Sequence, residues 1–131
     1  MRDRDYRALA RFRHALRVFL RFSEESARRA GVTPAQHQLL LAVKGWSASQ
    51  PPSLSDVAHM LQRHVHSTLE LVQRAERAGL VTRSSDDADA RRSLVGLTAR
   101  GDRVLTELSL VHRDELRRFR VEMNEVLREL D

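Results

Sequence analysis

The side chains in this chain that could do chemistry on their own are six histidines and a short group of acids, since cysteine is absent. Without cysteine there is no disulfide, no thiolate zinc site, no cysteine nucleophile and no thiol redox sensor. His64 and His66 are two residues apart, so on a helix their side chains diverge by about 200° and are poorly placed to share one metal ion. No two histidines have the H-x-x-x-H spacing. The sequence therefore predicts no metal site and no cofactor.

Enzyme motifs are also missing from the sequence. It contains no Gly-rich phosphate loop, no nucleophile elbow and no H-E-x-x-H. The acids Asp86, Asp87 and Asp89 fall in a stretch expected to form an exposed loop tip, where solvated charge is the ordinary explanation. We therefore expect no catalytic residue and no enzymatic activity.

The charge of the chain favours an anionic partner. Its 131 residues correspond to one domain. The formal net charge is +5, and Lys44 is the only lysine among 23 basic residues. An excess of arginine in a small protein indicates nucleic acid first. The apolar runs are too short to span a bilayer, and no apolar segment of an export signal follows the N-terminus, so we expect a cytoplasmic protein.

This charge is divided unevenly between the two ends of the chain. Residues 1–31 contain nine arginines and four acids, whereas residues 102–131 contain six arginines and eight acids. A basic and an acidic helix could pack together within one chain or cross between subunits. Alternatively, each charge run is only a solvated helix face, because exposed ion pairs contribute about 0–1 kcal/mol.

Long apolar stripes predict helices at both ends. Residues 3–30 repeat apolar positions at spacings of three and four, and Gly31 can end that helix. Residues 98–131 form a second long helical region, with a bend or break expected near His112, where the apolar phase slips. A small domain cannot bury two such stripes alone, so we expect a partner helix from a second copy of the chain.

Between these ends, capping residues mark two shorter helices. Thr33-Pro34-Ala35-Gln36 has an N-cap, a proline at the first helical position and a glutamine that can close a capping box, and Gly45 ends the helix. Ser53 caps the next helix, with Asp56 three residues later.

Residues 54–78 have the pattern of a helix-turn-helix. A short amphipathic helix ends near Gln62, and a longer helix over 64–78 follows with one apolar and one polar face. A DNA reader needs such a free polar face to enter the major groove, although any surface helix also has one. The polar residues that we expect to contact DNA are Arg63, His64, His66, Ser67, Glu70, Gln73, Arg74 and Arg77.

Two β-prone runs follow this helix. Val81-Thr82-Arg83 and Leu94-Val95-Gly96-Leu97 flank a polar stretch, 84–92, which predicts a hairpin with an arginine-bearing tip. A hairpin directly after a recognition helix is a wing, whose arginines can enter the minor groove. The fold class is therefore mainly α with a small β-hairpin wing. A hairpin tip kept polar for solubility is the alternative.

The order of these elements and several short sequence motifs resemble the MarR (multiple antibiotic resistance regulator) family. The resemblance covers about residues 5–125 and depends on four runs: Thr33-Pro34-Ala35-Gln36, Ala78-Gly79-Leu80-Val81, Asp89-Ala90-Arg91 and Leu97-Thr98-Ala99-Arg100-Gly101. It implies a homodimeric winged-helix transcription factor that binds a pseudo-palindromic operator. Such a protein represses by occupying a promoter and responds to a small aromatic or anionic effector.

The resemblance also assigns roles to residues of the wing and the recognition helix. Asp89 and Arg91 correspond to the wing pair, with the arginine entering the minor groove, and Arg92 adds a positive charge where the family often has a small or polar residue. All three wing residues are expected to contact DNA. Glu70 departs from the family pattern, because a basic or neutral residue is more usual there. It can accept from cytosine N4 or repel phosphate.

The resemblance further implies one domain with a DNA-binding lobe at 33–101 and a helical dimerisation region at 1–31 and 102–131. An effector would bind where the first, second and fifth helices meet that lobe. The residues expected there are His14, Arg17, His37, Leu41 and Trp46. Because of Glu70, one alternative stays open, in which the chain is a winged-helix interaction or dimerisation module without sequence-specific DNA readout.

Overall fold

The structure, a computed structural model, describes residues 1–130. Five helices and one hairpin follow each other along this part of the chain, which confirms the predicted fold class. No helix among these residues is long and apolar enough to cross a membrane. The elements are α1 (Asp3–Arg29), α2 (Pro34–Lys44), α3 (Leu54–Leu61), α4 (Val65–Arg77), β1 (Val81–Ser85), β2 (Ser93–Leu97) and α5 (Ala99–Glu129).

The chain forms two compact units. Unit 1 consists of Met1–Gly31 and the residues of α5 from Glu107 onward, and unit 2 consists of Val32–Thr106. Unit 1 therefore contains α1 and most of α5, whereas unit 2 contains α2, α3, α4, the hairpin and the first residues of α5.

In unit 1, a histidine lies in the buried face where the sequence suggested a break. Nδ1 of His112 donates to the Leu108 carbonyl oxygen at 2.7 Å, and its Nε2 lies 2.9 Å from the Ser23 hydroxyl. The rings of Phe19 and Phe22 contact the imidazole edge to face. The expected break is wrong: α5 is helical without interruption, because His112 continues its buried stripe as a hydrogen-bonded polar residue.

The basic helix α1 and the acidic end of α5 meet within one chain. The Arg11 guanidinium lies 3.2 Å from Glu122 and 3.1 Å from Glu125, and it also donates to Glu129. Hydrogen bonds to Glu122 and Glu129 raise the pKa of Arg11 above its ordinary value. At this cluster, the opposite charges of the two end helices pair inside the chain.

Unit 1 nevertheless leaves large apolar side chains uncovered. The residues of α1 that it buries are mostly small, such as Ala8, Ala15 and Ala27. Tyr6 stays 59% exposed and Val121 stays 58% exposed. The other exposed apolar residues of α1 and α5 in this unit are Leu9, Phe12, Val18, Leu20, Leu110, Val111, Leu116 and Leu127.

Unit 2 has an aliphatic core under capped helices. Thr33 and Gln36 close the predicted capping box of α2, and Ser53 and Asp56 close that of α3. Gln62 ends α3 in the left-handed region at φ 52°, which turns the chain sharply into α4. The side chains that are fully buried in this core include Leu39, Leu40, Val57, Val72, Leu80, Val81 and Val95.

The hairpin is longer and better anchored than predicted. β1 pairs antiparallel with β2 from Val81 opposite Leu97 to Ser85 opposite Ser93, so the first strand extends two residues beyond the predicted run. On its other edge, β2 contacts the segment before α3, since the Val95 amide donates to the Pro52 carbonyl at 2.9 Å. This contact ties the hairpin to the start of the helix-turn-helix.

Candidate nucleic-acid interface

Helix α4 is held by one face and leaves the other face free. Thr68, Leu71, Val72 and Ala75 are buried, and the Thr68 hydroxyl donates to the His64 carbonyl at 2.9 Å. The eight residues at 63–77 that the sequence assigned to DNA contact lie away from this buried face. Ser67 and Gln73 are half-buried, and the exposed ones are Arg63, His64, His66, Glu70, Arg74 and Arg77.

The charged groups on this free face differ in whether they form an ion pair. His66 Nε2 lies 3.4 Å from a carboxylate oxygen of Glu70, one helical turn away. Within residues 1–130, by contrast, Arg63, Arg74 and Arg77 form no ion pair. The face therefore presents unengaged guanidinium groups together with one carboxylate, which suits contact with phosphates and with hydrogen-bond donors on base edges.

The hairpin tip, residues 86–92, is a turn held by hydrogen bonds within itself. The Asp86 amide donates to the Arg92 carbonyl at 3.0 Å, and the Arg92 amide donates to the Asp89 carbonyl at 3.0 Å. The Asp86 carboxylate accepts from the Ala88 amide at 2.9 Å and is 3% exposed. The expectation that Asp86 is a solvated charge is therefore wrong, because its carboxylate binds the backbone of its own turn, whereas Asp87 is exposed.

Asp89 and Arg91 pair within this tip. The Asp89 carboxylate accepts from the side chain and from the backbone amide of Arg91, each at 3.1 Å. These two hydrogen bonds, the one from the side chain first, lower the pKa of Asp89 below its ordinary value. The Arg91 side chain remains 91% exposed, so its guanidinium projects into solvent from a tip whose shape Asp89 helps to fix.

Arg92 is engaged differently from its neighbour. Its guanidinium lies 3.5 Å from Asp86 and 3.6 Å from Asp56, the capping-box residue of α3, and its side chain is 48% exposed. Sequence reasoning found Asp56 as a cap and missed this second contact. An aspartate in a polar loop commonly accepts a hydrogen bond from the backbone amide two residues later, as Asp86 does, so this turn could have been predicted from the residue type.

The residues expected at an effector site are divided between the two units. His14 and Arg17 belong to unit 1, and both are exposed. His37, Leu41 and Trp46 belong to unit 2, where His37 is buried and Leu41 is exposed.

Two cavities are lined by members of this set. In unit 1, a cavity of about 410 Å³ is lined by His14, Phe19 and Phe119. In unit 2, a cavity of about 450 Å³ is lined by Trp46, Lys44 and Leu97. No group of three His, Asp or Glu side chains within residues 1–130 could hold a metal ion.

Comparisons with known proteins identify the architecture. A solved MarR family transcription regulator is 25% identical and superposes with a TM-score of 0.74 over 87% of this chain and 74% of its own. The S. aureus MepR–DNA complex is 21% identical, with a TM-score of 0.75 over 89% of this chain and 88% of that chain. CouR from Rhodococcus jostii, bound to p-coumaroyl-CoA, is 19% identical, with a TM-score of 0.65 over 75% and 67%.

Sequence comparison adds nothing to these structural matches, since neither a family model nor a curated protein matches the chain. The structural matches agree with the motifs at 33–36, 78–81, 89–91 and 97–101 from which the resemblance was drawn. The chain has the winged-helix fold of the MarR-family transcription regulators.

Proposed function

We propose that the chain is a DNA-binding transcription regulator that acts as a homodimer, with α4 in the major groove and the wing, residues 81–97, in the adjacent minor groove. The observation that carries this proposal is the free face of α4 beside a structured tip that presents Arg91 to solvent. Glu76 on α4 lies 3.2 Å from Arg83 on β1, so an ion pair links the helix to the wing.

The residues of the free face divide by chemistry. Glu70 can accept from cytosine N4, and Gln73 can bond adenine in the major groove. Arg63, Arg74 and Arg77 suit phosphate contacts, which position the protein without carrying sequence information. Arg91 suits the minor groove, where the negative potential favours arginine. The MepR–DNA complex has the same fold, which supports DNA binding by this chain.

A homodimer accounts for the uncovered apolar residues of unit 1. Tyr6 and Val121 are among ten large apolar side chains of α1 and α5 that this unit leaves exposed. A two-fold dimer that buries them would place two copies of α4 on two half-sites of one duplex. As a transcription regulator, the protein would work in the cytoplasm and would catalyse no reaction.

A small aromatic or anionic effector would regulate this binding. CouR, which has the same fold, holds p-coumaroyl-CoA, a ligand that is both aromatic and anionic. In this chain the positions to test for such a ligand are His14, Arg17, His37, Leu41 and Trp46, which the sequence predicted.

The proposal is tested by selecting duplexes from a randomised pool with the full chain. We expect enrichment of a palindrome whose half-sites are about one helical turn, 10–10.5 base pairs, apart. If no sequence is enriched, specific readout is refuted. The alternative, an interaction module of the same fold, is then favoured, in agreement with the exposed carboxylate of Glu70 on the reading face.

A further inference from the structure

Arg92 differs from the arginine beside it in what it contacts. Arg91 is almost fully exposed and bonds within the tip, to Asp89. Arg92 is half-exposed, and the two nitrogens of its fork point to carboxylates on two different elements, Asp86 in the tip and Asp56 in α3. Adjacent residues of the same type therefore have different surroundings.

The buried carboxylate of Asp86 stabilises the position of the Arg92 guanidinium. Its carboxylate is buried, and burial of a charge is costly unless the charge is paired and hydrogen-bonded. One oxygen is satisfied by the Ala88 amide, and the other faces Arg92 at 3.5 Å. Removal of the guanidinium would leave this oxygen without its cation.

Asp56 connects the same guanidinium to the helix-turn-helix. One of its oxygens accepts the Ser53 amide at 2.9 Å in the capping box of α3 and lies 3.6 Å from Arg92. Ser53 itself forms a bridge with Leu94 on β2. Arg92 thus joins the tip of the wing to the first turn of α3, close to the bridge between Ser53 and Leu94 on β2.

From this geometry we propose that Arg92 is a positioning residue: its guanidinium bridges Asp86 and Asp56, holds the wing tip against α3, and so aims Arg91 at the minor groove without contacting DNA itself. Only the part of this proposal that concerns DNA binding rests on the proposed function. The bridge itself is a property of the free protein.

The first test needs no DNA. Amide hydrogen exchange of the full chain is measured for Asp86, Ala88 and Arg92, whose amides are bonded within the tip. In Arg92→Ala these amides should exchange about tenfold faster, because the tip opens locally. Arg113→Ala, which removes the same charge from α5, is the matched control and should leave them unchanged. Unchanged exchange in Arg92→Ala overturns the bridge.

The second test separates positioning from contact with DNA. Affinity for the duplex enriched from the randomised pool is measured for Arg91→Ala, Arg92→Ala and the double variant. If Arg92 acts through Arg91, its substitution weakens binding about tenfold in the native background and has little further effect in the Arg91→Ala background. Additive losses would show an independent contact of Arg92 with DNA and overturn the proposal.

Arg92→Lys provides a third comparison. Lysine keeps the positive charge and still binds phosphate, but its single ammonium lacks the fork that reaches two carboxylates. A bridge therefore predicts that Arg92→Lys behaves like Arg92→Ala in both tests, and native behaviour of this variant contradicts it. If the native chain enriches no duplex, the proposed function fails, and the exchange measurement alone decides the role of Arg92.

Discussion

Gly101 lies directly against the backbone of Leu80. A Cβ added to Gly101 would lie 2.1 Å from the Leu80 carbonyl oxygen and 3.3 Å from a methyl group of Leu40. The neighbouring Thr98 explains this closeness, since its hydroxyl donates to the Gly79 carbonyl at 2.6 Å and accepts from the Gly101 amide at 3.0 Å. The L-T-x-x-G run therefore caps α5 and packs it against the end of α4.

Gly101→Ala should destabilise unit 2 strongly. The methyl group would overlap backbone atoms, which cannot rotate away as a side chain can, so we expect a loss of unfolding free energy of about 1–3 kcal/mol or more. Thermal unfolding followed by circular dichroism measures it. Gly96→Ala is the control, because a Cβ there meets only the Thr82 hydroxyl oxygen at 3.7 Å. Equal melting temperatures for the two variants would contradict the packing described here.

Arg91→Ala should weaken DNA binding without affecting the fold or the dimer. The side chain is exposed and bonds to Asp89 within the tip, so its removal creates no cavity. We expect about a tenfold or larger loss of affinity in a fluorescence anisotropy titration, as for a lost charge contact. Sedimentation and the melting temperature should stay at the native values. A variant that dissociates into monomers would show that the wing has been assigned wrongly.

The Asp89 carboxyl gives the wing tip a defined response to acid. Its pKa is lowered in the folded chain by hydrogen bonds from Arg91. The stabilisation it contributes is therefore fully present above the ordinary aspartate pKa, near 3.9, and is lost as the pH falls through the lower, folded value.

Carboxyl carbon NMR of Asp89 measures this titration directly. In Arg91→Ala its pKa should rise towards the ordinary value, because the largest cause of the shift has been removed. Arg113→Ala should leave the titration of Asp89 as in the native chain. If Asp89 titrates identically in the native chain and in Arg91→Ala, the pair does not form in solution.

Local signals in the sequence predicted most elements but not their contacts. The caps at Thr33 and Ser53 act through residues three positions away, so spacing alone revealed them. The burial of Asp86 was missed although its partners, Ala88 and Arg92, lie only two and six positions away. The contact of Arg92 with Asp56 was missed, because these residues are 36 positions apart in the sequence. His112 was missed for the same reason, since its partner Ser23 lies on the other long helix.

The exposed apolar residues of unit 1 predict where the dimer forms. Val121 and Leu127 are 58% and 65% exposed, so Val121→Glu and Leu127→Glu should not disturb the interior of unit 1. A charge buried in a dimer interface without a partner is costly, so both variants should sediment as monomers while circular dichroism shows unchanged helix content. Dimers that persist in both variants would place the interface elsewhere.

Salt dependence of binding by the native chain tests the proposed DNA interface most directly. The dissociation constant for the enriched duplex is measured over a range of salt concentrations, with the stoichiometry determined by sedimentation of the complex. A groove-bound winged helix predicts two chains per duplex and a steep loss of affinity, with a log–log slope of about −0.9 for each phosphate contact. A flat slope, or one chain per duplex without half-site symmetry, would contradict it.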